Sequence, residues 1–308
     1  MKIQKNVPEG WRSRALAAWL IASMVIVSWL LFGGYVNAAS PFNLFEKKSI
    51  MYKNIVVEVG ESGNDFAKKY QGMIDVNDRN PGSHFYRVNW SVDPLGTATV
   101  KNGSSTFEMG TVLSILGDSD DTYPAEGISD FSINLGLPPR NNILHDDARL
   151  KFYALLQRIQ QAGWKRWIAP GMPRLNGADA LRYQMGGVEN VASLMSLDPS
   201  YIPSLEVWMT MKDMSGWQFY LNNIYMSVQF TRDRKRMDPN LPGAYFLTLK
   251  LQSKESFQRS ELAYENRQRW KELYPDVRKR QAEKRLHSEE YVRNLGFKVD
   301  MEYRNPDD

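Results

Sequence analysis

An uninterrupted apolar stretch near the N-terminus constrains this chain more than any other feature. From Ala15 to Ala39 no residue is charged, and Ala15-Leu-Ala-Ala-Trp-Leu-Ile-Ala-Ser-Met-Val-Ile-Val-Ser-Trp-Leu-Leu-Phe32 has no polar face. Only a helix satisfies all its own backbone groups in hydrocarbon, so a run of this length reads as a membrane span. Lys2, Lys5, Arg12 and Arg14 precede it, and basic flanks stay cytoplasmic, which sends the remainder of the chain across the membrane. Val36-Asn37-Ala38 offers small residues of the kind a signal peptidase cleaves after. The apolar run nevertheless exceeds the roughly 7 to 15 residues of a signal core, which favours an uncleaved anchor over an export signal.

Five segments follow from this reading. They are a cytoplasmic basic segment over 1–14, a transmembrane anchor or signal sequence over 15–35 and a linker over 36–49. A periplasmic domain occupies 50–258, with two possible subdomains meeting near 140–165, and a charged helical appendage fills 259–308. The chain contains no cysteine. The exported part therefore has no disulfide and no thiolate zinc site, and the N-terminus offers no acceptor for a lipid anchor. The net charge of +4 also belongs to the N-terminus: beyond residue 39 there remain 35 basic and 34 acidic residues. That balance is no footprint for nucleic acid.

Within the exported part, Ile50–Val59, His84–Val92, Ser105–Leu116 and Ile128–Leu135 alternate and are rich in aromatic and β-branched residues, which predicts strands. Asn64–Ile74 predicts a short helix after a polar cap, weakened by Gly72. The clearest helix spans His145–Ala162, with Ala148, Phe152, Leu155, Leu156 and Ile159 on one face and Asp146 and Asp147 in the first turn. Gly163 ends it, and Trp164–Ile168 predicts a strand. Trp217–Leu221 and Ile224–Phe230 flank Asn222-Asn223, residues that tolerate the positive φ of a tight hairpin, and Ala244–Leu251 joins the same sheet. The tail from Ser260 to Arg293 reads as two charged helices separated at Pro275. Together these elements predict an α+β fold of antiparallel sheets with packed helices, preceded by one N-terminal transmembrane helix.

No motif for a known chemistry emerges. His84, His145 and His287 are the only histidines, and none lies in the His-Glu-x-x-His spacing that places two imidazoles on one helical face. Gly117-Asp118-Ser119-Asp120-Asp121 has a hydrolase-like Gly-Asp-Ser, but Lys284 stands where the acid partner of His287 would be needed. Read as a calcium loop, it has Tyr123 and Ser129 at the positions of the required glycine and glutamate. Glycine-rich phosphate cradles are also missing. The sequence thus predicts no catalytic residue, no metal and no cofactor, and a protein that is not an enzyme. Glu108, Asp130 and His84 are the residues that a hydrolase without a recognisable motif would draw on.

Binding is the remaining expectation. Thr231-Arg-Asp-Arg-Lys-Arg236 places Arg232, Arg234, Lys235 and Arg236 on a loop after a strand. Aromatic anchors Trp164, Trp167, Trp217 and Tyr220 lie in the same half of the chain. Two stretches, Gly163–Gly177 and Gly216–Pro239, resemble uncharacterised enterobacterial proteins that look like immunity proteins of type VI secretion loci. The resemblance covers about the last half of the chain and implies a protein that acts in the periplasm and whose partner is a cognate protein toxin; the apolar run makes it single-pass in the inner membrane, and the charge balance argues against nucleic acid. A hydrolase of the envelope and an assembly component of a secretion machine are the alternatives.

Overall fold

The computed structural model describes residues 54–80, 82–90, 94–186 and 196–308. The basic segment, the apolar run and the linker lie outside the described residues. Among the described residues no helix is long and apolar enough to cross a membrane.

The chain runs through β1 (Asn54–Glu58), α1 (Gly63–Lys69), β2 (Asp75–Asn80), β3 (Ser83–Asn89), β4 (Gly96–Asn102), the long β5 (Ser105–Asp120), β6 (Asp130–Gly136) and the short β7 (Ile143–Leu144). It continues through α2 (His145–Gln161), the short β8 (Lys165–Arg166), α3 (Gly177–Met185), α4 (Leu205–Thr210), β9 (Gly216–Leu221) and β10 (Ile224–Arg232). The short β11 (Pro242–Gly243), β12 (Tyr245–Ser253), α5 (Lys254–Ser260) and α6 (Trp270–Asn294) complete it. Ten strands form one sheet with the path β1-β4-β5-β6-β12-β10-β9-β8, and β3 pairs with both β2 and β5. This is the expected α+β architecture. Among the named strands pairing is antiparallel except for β1 with β4, which three intervening elements separate, enough chain for the crossover that a parallel pair needs.

Alternation decides which side of the sheet is buried. Tyr245, Leu247, Leu249 and Leu251 of β12 meet Leu135, Ile133 and Phe131 of β6 and Phe230, Val228 and Met226 of β10 on one face. α2 lays Phe152 and Tyr153 onto that face, where Phe152 lies 4.7 Å from Trp217 and 5.7 Å from Phe230. Gly163 stops the helix with φ +94°, a conformation that costs glycine nothing. The hairpin between β9 and β10 turns at Asn222 and Asn223, both at positive φ (45° and 64°), as a primed turn requires. The other face of the sheet presents Gln229, Thr248, Asn134 and Ser114 in one cross-strand row and Ser227, Lys250, Ser132 and Leu116 in the next.

The C-terminal segment corrects two expectations. Residues 259–308 are no appendage, because the described residues on both sides of 258 belong to one compact unit. Val292 of α6 is fully buried in the main core, and the Arg285 guanidinium donates to the carbonyls of Ile168, Ala169 and Met172. Nor does Pro275 divide the tail: α6 runs through it. A proline deletes one main-chain hydrogen bond, and here Tyr274 and Val292, buried on either side of it, keep the helix docked. No boundary divides the core near 140–165, since α2 packs its buried face into the same cluster that holds β5, β6 and β12.

Candidate interaction surface

β10 ends at Arg232 and the chain returns to the sheet as β12, leaving residues 233–244 as a projecting turn. Local bonds give the turn its shape. Asp233 accepts from the Lys235 N–H at 2.9 Å through its carboxylate and from the Arg236 N–H at 3.0 Å through its carbonyl. Asp238 accepts from the Asn240 N–H at 2.9 Å. Such aspartate turns arise wherever a short carboxylate can reach the N–H two residues on. The far end is pinned by β11, whose Pro242 and Gly243 pair with Leu144 and Ile143 of β7. Arg236 crosses to donate to the Asn141 carbonyl at 2.6 Å.

The turn exposes three cations and one aliphatic side chain, and the strand that pins it exposes another. Arg234, Lys235 and Arg236 are all exposed. Leu241 is 58 % exposed and Leu144, opposite Pro242, is 47 % exposed. Asp213 receives Arg234 Nε at 2.7 Å, and Asp233 lies 3.5 Å from Arg236. The charge is therefore partly neutralised.

Arg232 departs from expectation. It is a strand residue, its side chain is 1 % exposed, and its guanidinium lies against the rings of Phe230 (4.7 Å), Trp208 (5.1 Å) and Tyr245 (5.6 Å). Strand alternation turns it to the inner face, among the rings of the core. Nη1 donates to the Trp208 carbonyl at 3.0 Å, whereas Nε and Nη2 make no hydrogen bond and Asp213 is 3.8 Å away. Burial pulls the Arg232 guanidinium below its usual value, though an arginine so placed stays charged.

The four aromatic residues also lie elsewhere than a surface. Trp217 is fully buried and Trp164 is nearly so, both within the main core. Trp167 and Tyr220 form a small second cluster with Tyr225. Its polar groups are tied down: Asp307 accepts from Trp167 Nε1 at 2.8 Å and from the Tyr225 hydroxyl at 2.6 Å. Ring area at strand spacing is most favourably placed inside, and all four side chains are buried.

Glu108, Asp130 and His84 do not form one site. Glu108 lies in the half of β5 that pairs with β4, while Asp130 pairs with Asp118 in the other half. His84 is held between Asp78 (2.7 Å) and Asp121 (2.8 Å), and those two hydrogen bonds raise its pKa. Asp130 accepts from Ser129 at 2.7 Å and Ser256 at 2.8 Å, and burial raises it too. Asp118 is the more perturbed: burial, with Asp130 and Asp120 beside it, pushes it up to about 6. Cross-strand carboxylates in adjoining strands are close enough to repel, and the sequence gives no sign of the pair because its members stand twelve positions apart with register decided by the fold. Among the described residues no group of three or more histidine and acidic side chains could hold a metal ion. Comparison of the chain with family models, with curated proteins and with solved structures returns no match.

Proposed function

We propose that this protein is a membrane-anchored periplasmic binding protein that neutralises a toxin delivered to the cell envelope, and that the turn at 233–241 docks on an acidic surface of that toxin. The apolar run at 15–35 is the anchor in this reading, with the domain from residue 50 onward in the periplasm. The observation that carries it is the run of exposed Arg234, Lys235 and Arg236 on a hydrogen-bonded turn, with Leu241 exposed at its far end and Leu144 exposed on the strand that pairs with Pro242. A braced turn loses little conformational freedom on binding, so more of the contact energy appears as affinity. A standard interface of about 800 Å² per partner requires the surrounding surface as well, with the turn as its centre.

The test is a competition in which sensitive cells with and without the chain are attacked by a strain carrying the secretion system. Protection is expected from the full chain, and its loss from a chain lacking residues 1–39 and therefore kept cytoplasmic. The variant Leu241→Glu with Lys235→Glu is expected to abolish protection while unfolding at the same temperature as the parent. Equal killing with and without the chain, or full protection by the double variant, would overturn the proposal.

A further inference from the structure

The turn rests on a buried histidine. His145 is the first residue of α2, 1 % exposed, and its Nδ1 lies 2.6 Å from the Tyr245 hydroxyl. The same hydroxyl receives the Trp208 indole N–H at 3.0 Å. An indole nitrogen only donates, so the phenol oxygen is already an acceptor, and the phenol proton is free to go to Nδ1. That assigns a neutral imidazole carrying its own proton on Nε2, which faces the backbone carbonyls of Arg236 and Asp238 without a well-aligned hydrogen bond. The ring edge also fills the place of a side chain at Gly243: a Cβ there would come within 2.4 Å of His145 Cε1. One imidazole thus touches β12 through Tyr245, β11 through Gly243 and the projecting turn through two carbonyls.

Every element packed on the ring bears on its charge. Burial opposes a charge on the ring most and the Arg232 guanidinium of β10 next, and together they hold the imidazole below its usual value; the partial positive charge at the start of α2 acts in the same direction. Asp238 in the turn and the two carbonyls favour the charged ring. Asp146 and Asp147 follow in the first turn of α2, and Asp213 lies 3.8 Å from Arg232. Trp208 and Tyr245 are neutral. A proton on Nδ1 would leave the Tyr245 hydroxyl receiving two donors and its own proton without an acceptor, a buried loss of the kind that destabilises local packing.

We propose that His145 is an acid-sensitive latch: the neutral imidazole holds the 233–243 turn closed against β7 and β12, and protonation of the ring releases it. Resting on the binding role proposed above, this makes release of the partner the consequence of acidification. Histidine is the side chain suited to such a change near neutral pH.

The experiment is amide hydrogen exchange of the full chain in detergent, expressed as protection factors and followed from about pH 7.5 down to about pH 5, the range over which imidazoles titrate. Protection over 233–243 is expected to fall at least roughly tenfold while that of β6 and β9 holds, since local opening can occur without global unfolding. In His145→Gln the fall is expected to vanish. Should that variant not fold, Tyr245→Phe removes the donor to Nδ1 and is expected to move the midpoint of opening to higher pH. Uniform loss of protection throughout the sheet, an unchanged fall in His145→Gln, or an unmoved midpoint in Tyr245→Phe would overturn the latch. Exchange is read without any partner, so a working latch in a chain that protects no cell would refute the binding role alone.

Discussion

Replacing Asp118 by asparagine should stabilise this protein, and only above a defined pH. Asp118 lies half-buried on β5 opposite Asp130, with Asp120 nearby. Its pKa is raised from 3.8 to about 6 by burial first and by those two carboxylates next. A folded value above the unfolded one means that the native state binds the extra proton, so stability falls as pH rises from 3.8 to about 6 and the full cost persists above that. At full strength that interval corresponds to about 3 kcal/mol. Because the group is only half-buried, screening reduces the expectation to about 1–2 kcal/mol, or roughly 2–8 °C in Tm for a domain of this size. Asparagine keeps the shape and removes the charge. Urea denaturation of the parent and Asp118→Asn at a series of pH values is the assay. The two stabilities should coincide below about pH 4, separate through the window and run parallel above it, with the variant the more stable. A separation that does not change with pH, or a variant less stable at pH 7, would refute the electrostatic account.

The ion pair that docks α6 should behave in the opposite sense. Glu289, 1 % exposed, accepts from Arg174 Nε at 2.6 Å and Nη2 at 2.8 Å; Glu289→Ala leaves that guanidinium unpaired and should cost about 3–5 kcal/mol in urea denaturation. A loss under 1 kcal/mol would mean that the C-terminal helix is held by Val292 and its neighbours alone. His84 supplies a third test. Its raised pKa means that its stabilising effect is complete below 6.5 and is lost as pH rises through the folded value. Asp78→Asn removes the largest cause, so the His84 ring titration followed by NMR should move down towards 6.5, and an unmoved midpoint would contradict the assignment.

Much of the sheet was readable because it rests on local rules. Tyr245, Leu247, Leu249 and Leu251 alternate with Phe246, Thr248 and Lys250, and a strand with one buried face must show that period. Asn222-Asn223 and Gly163 mark backbone conformations with φ above zero, which few residues adopt cheaply. β2, Asp75-Val-Asn-Asp-Arg-Asn80, was not legible: it is a polar strand whose place comes from backbone pairing with β3, and such bonds need no particular side chain. α3 and α4 were missed for another reason. They are nine and six residues long, too short for propensity alone to form them without packing.

The candidate surface divides in the same way. Composition along the chain determined that residues 1–39 hold the excess positive charge and the apolar run, and that no disulfide contributes. It also placed Arg234, Lys235 and Arg236 after a strand, because turn chemistry is local. Tertiary structure alone turned Arg232 inward, buried Trp164, Trp167, Trp217 and Tyr220, and brought Leu144 opposite Pro242 and His145 against Gly243. Those outcomes depend on register between segments up to about a hundred residues apart: His145 meets Tyr245 only because β7 and α2 lie against β11 and β12. Local sequence carries a residue's backbone preference and its solvation, whereas which charge faces which ring is decided by the summed packing of the whole core.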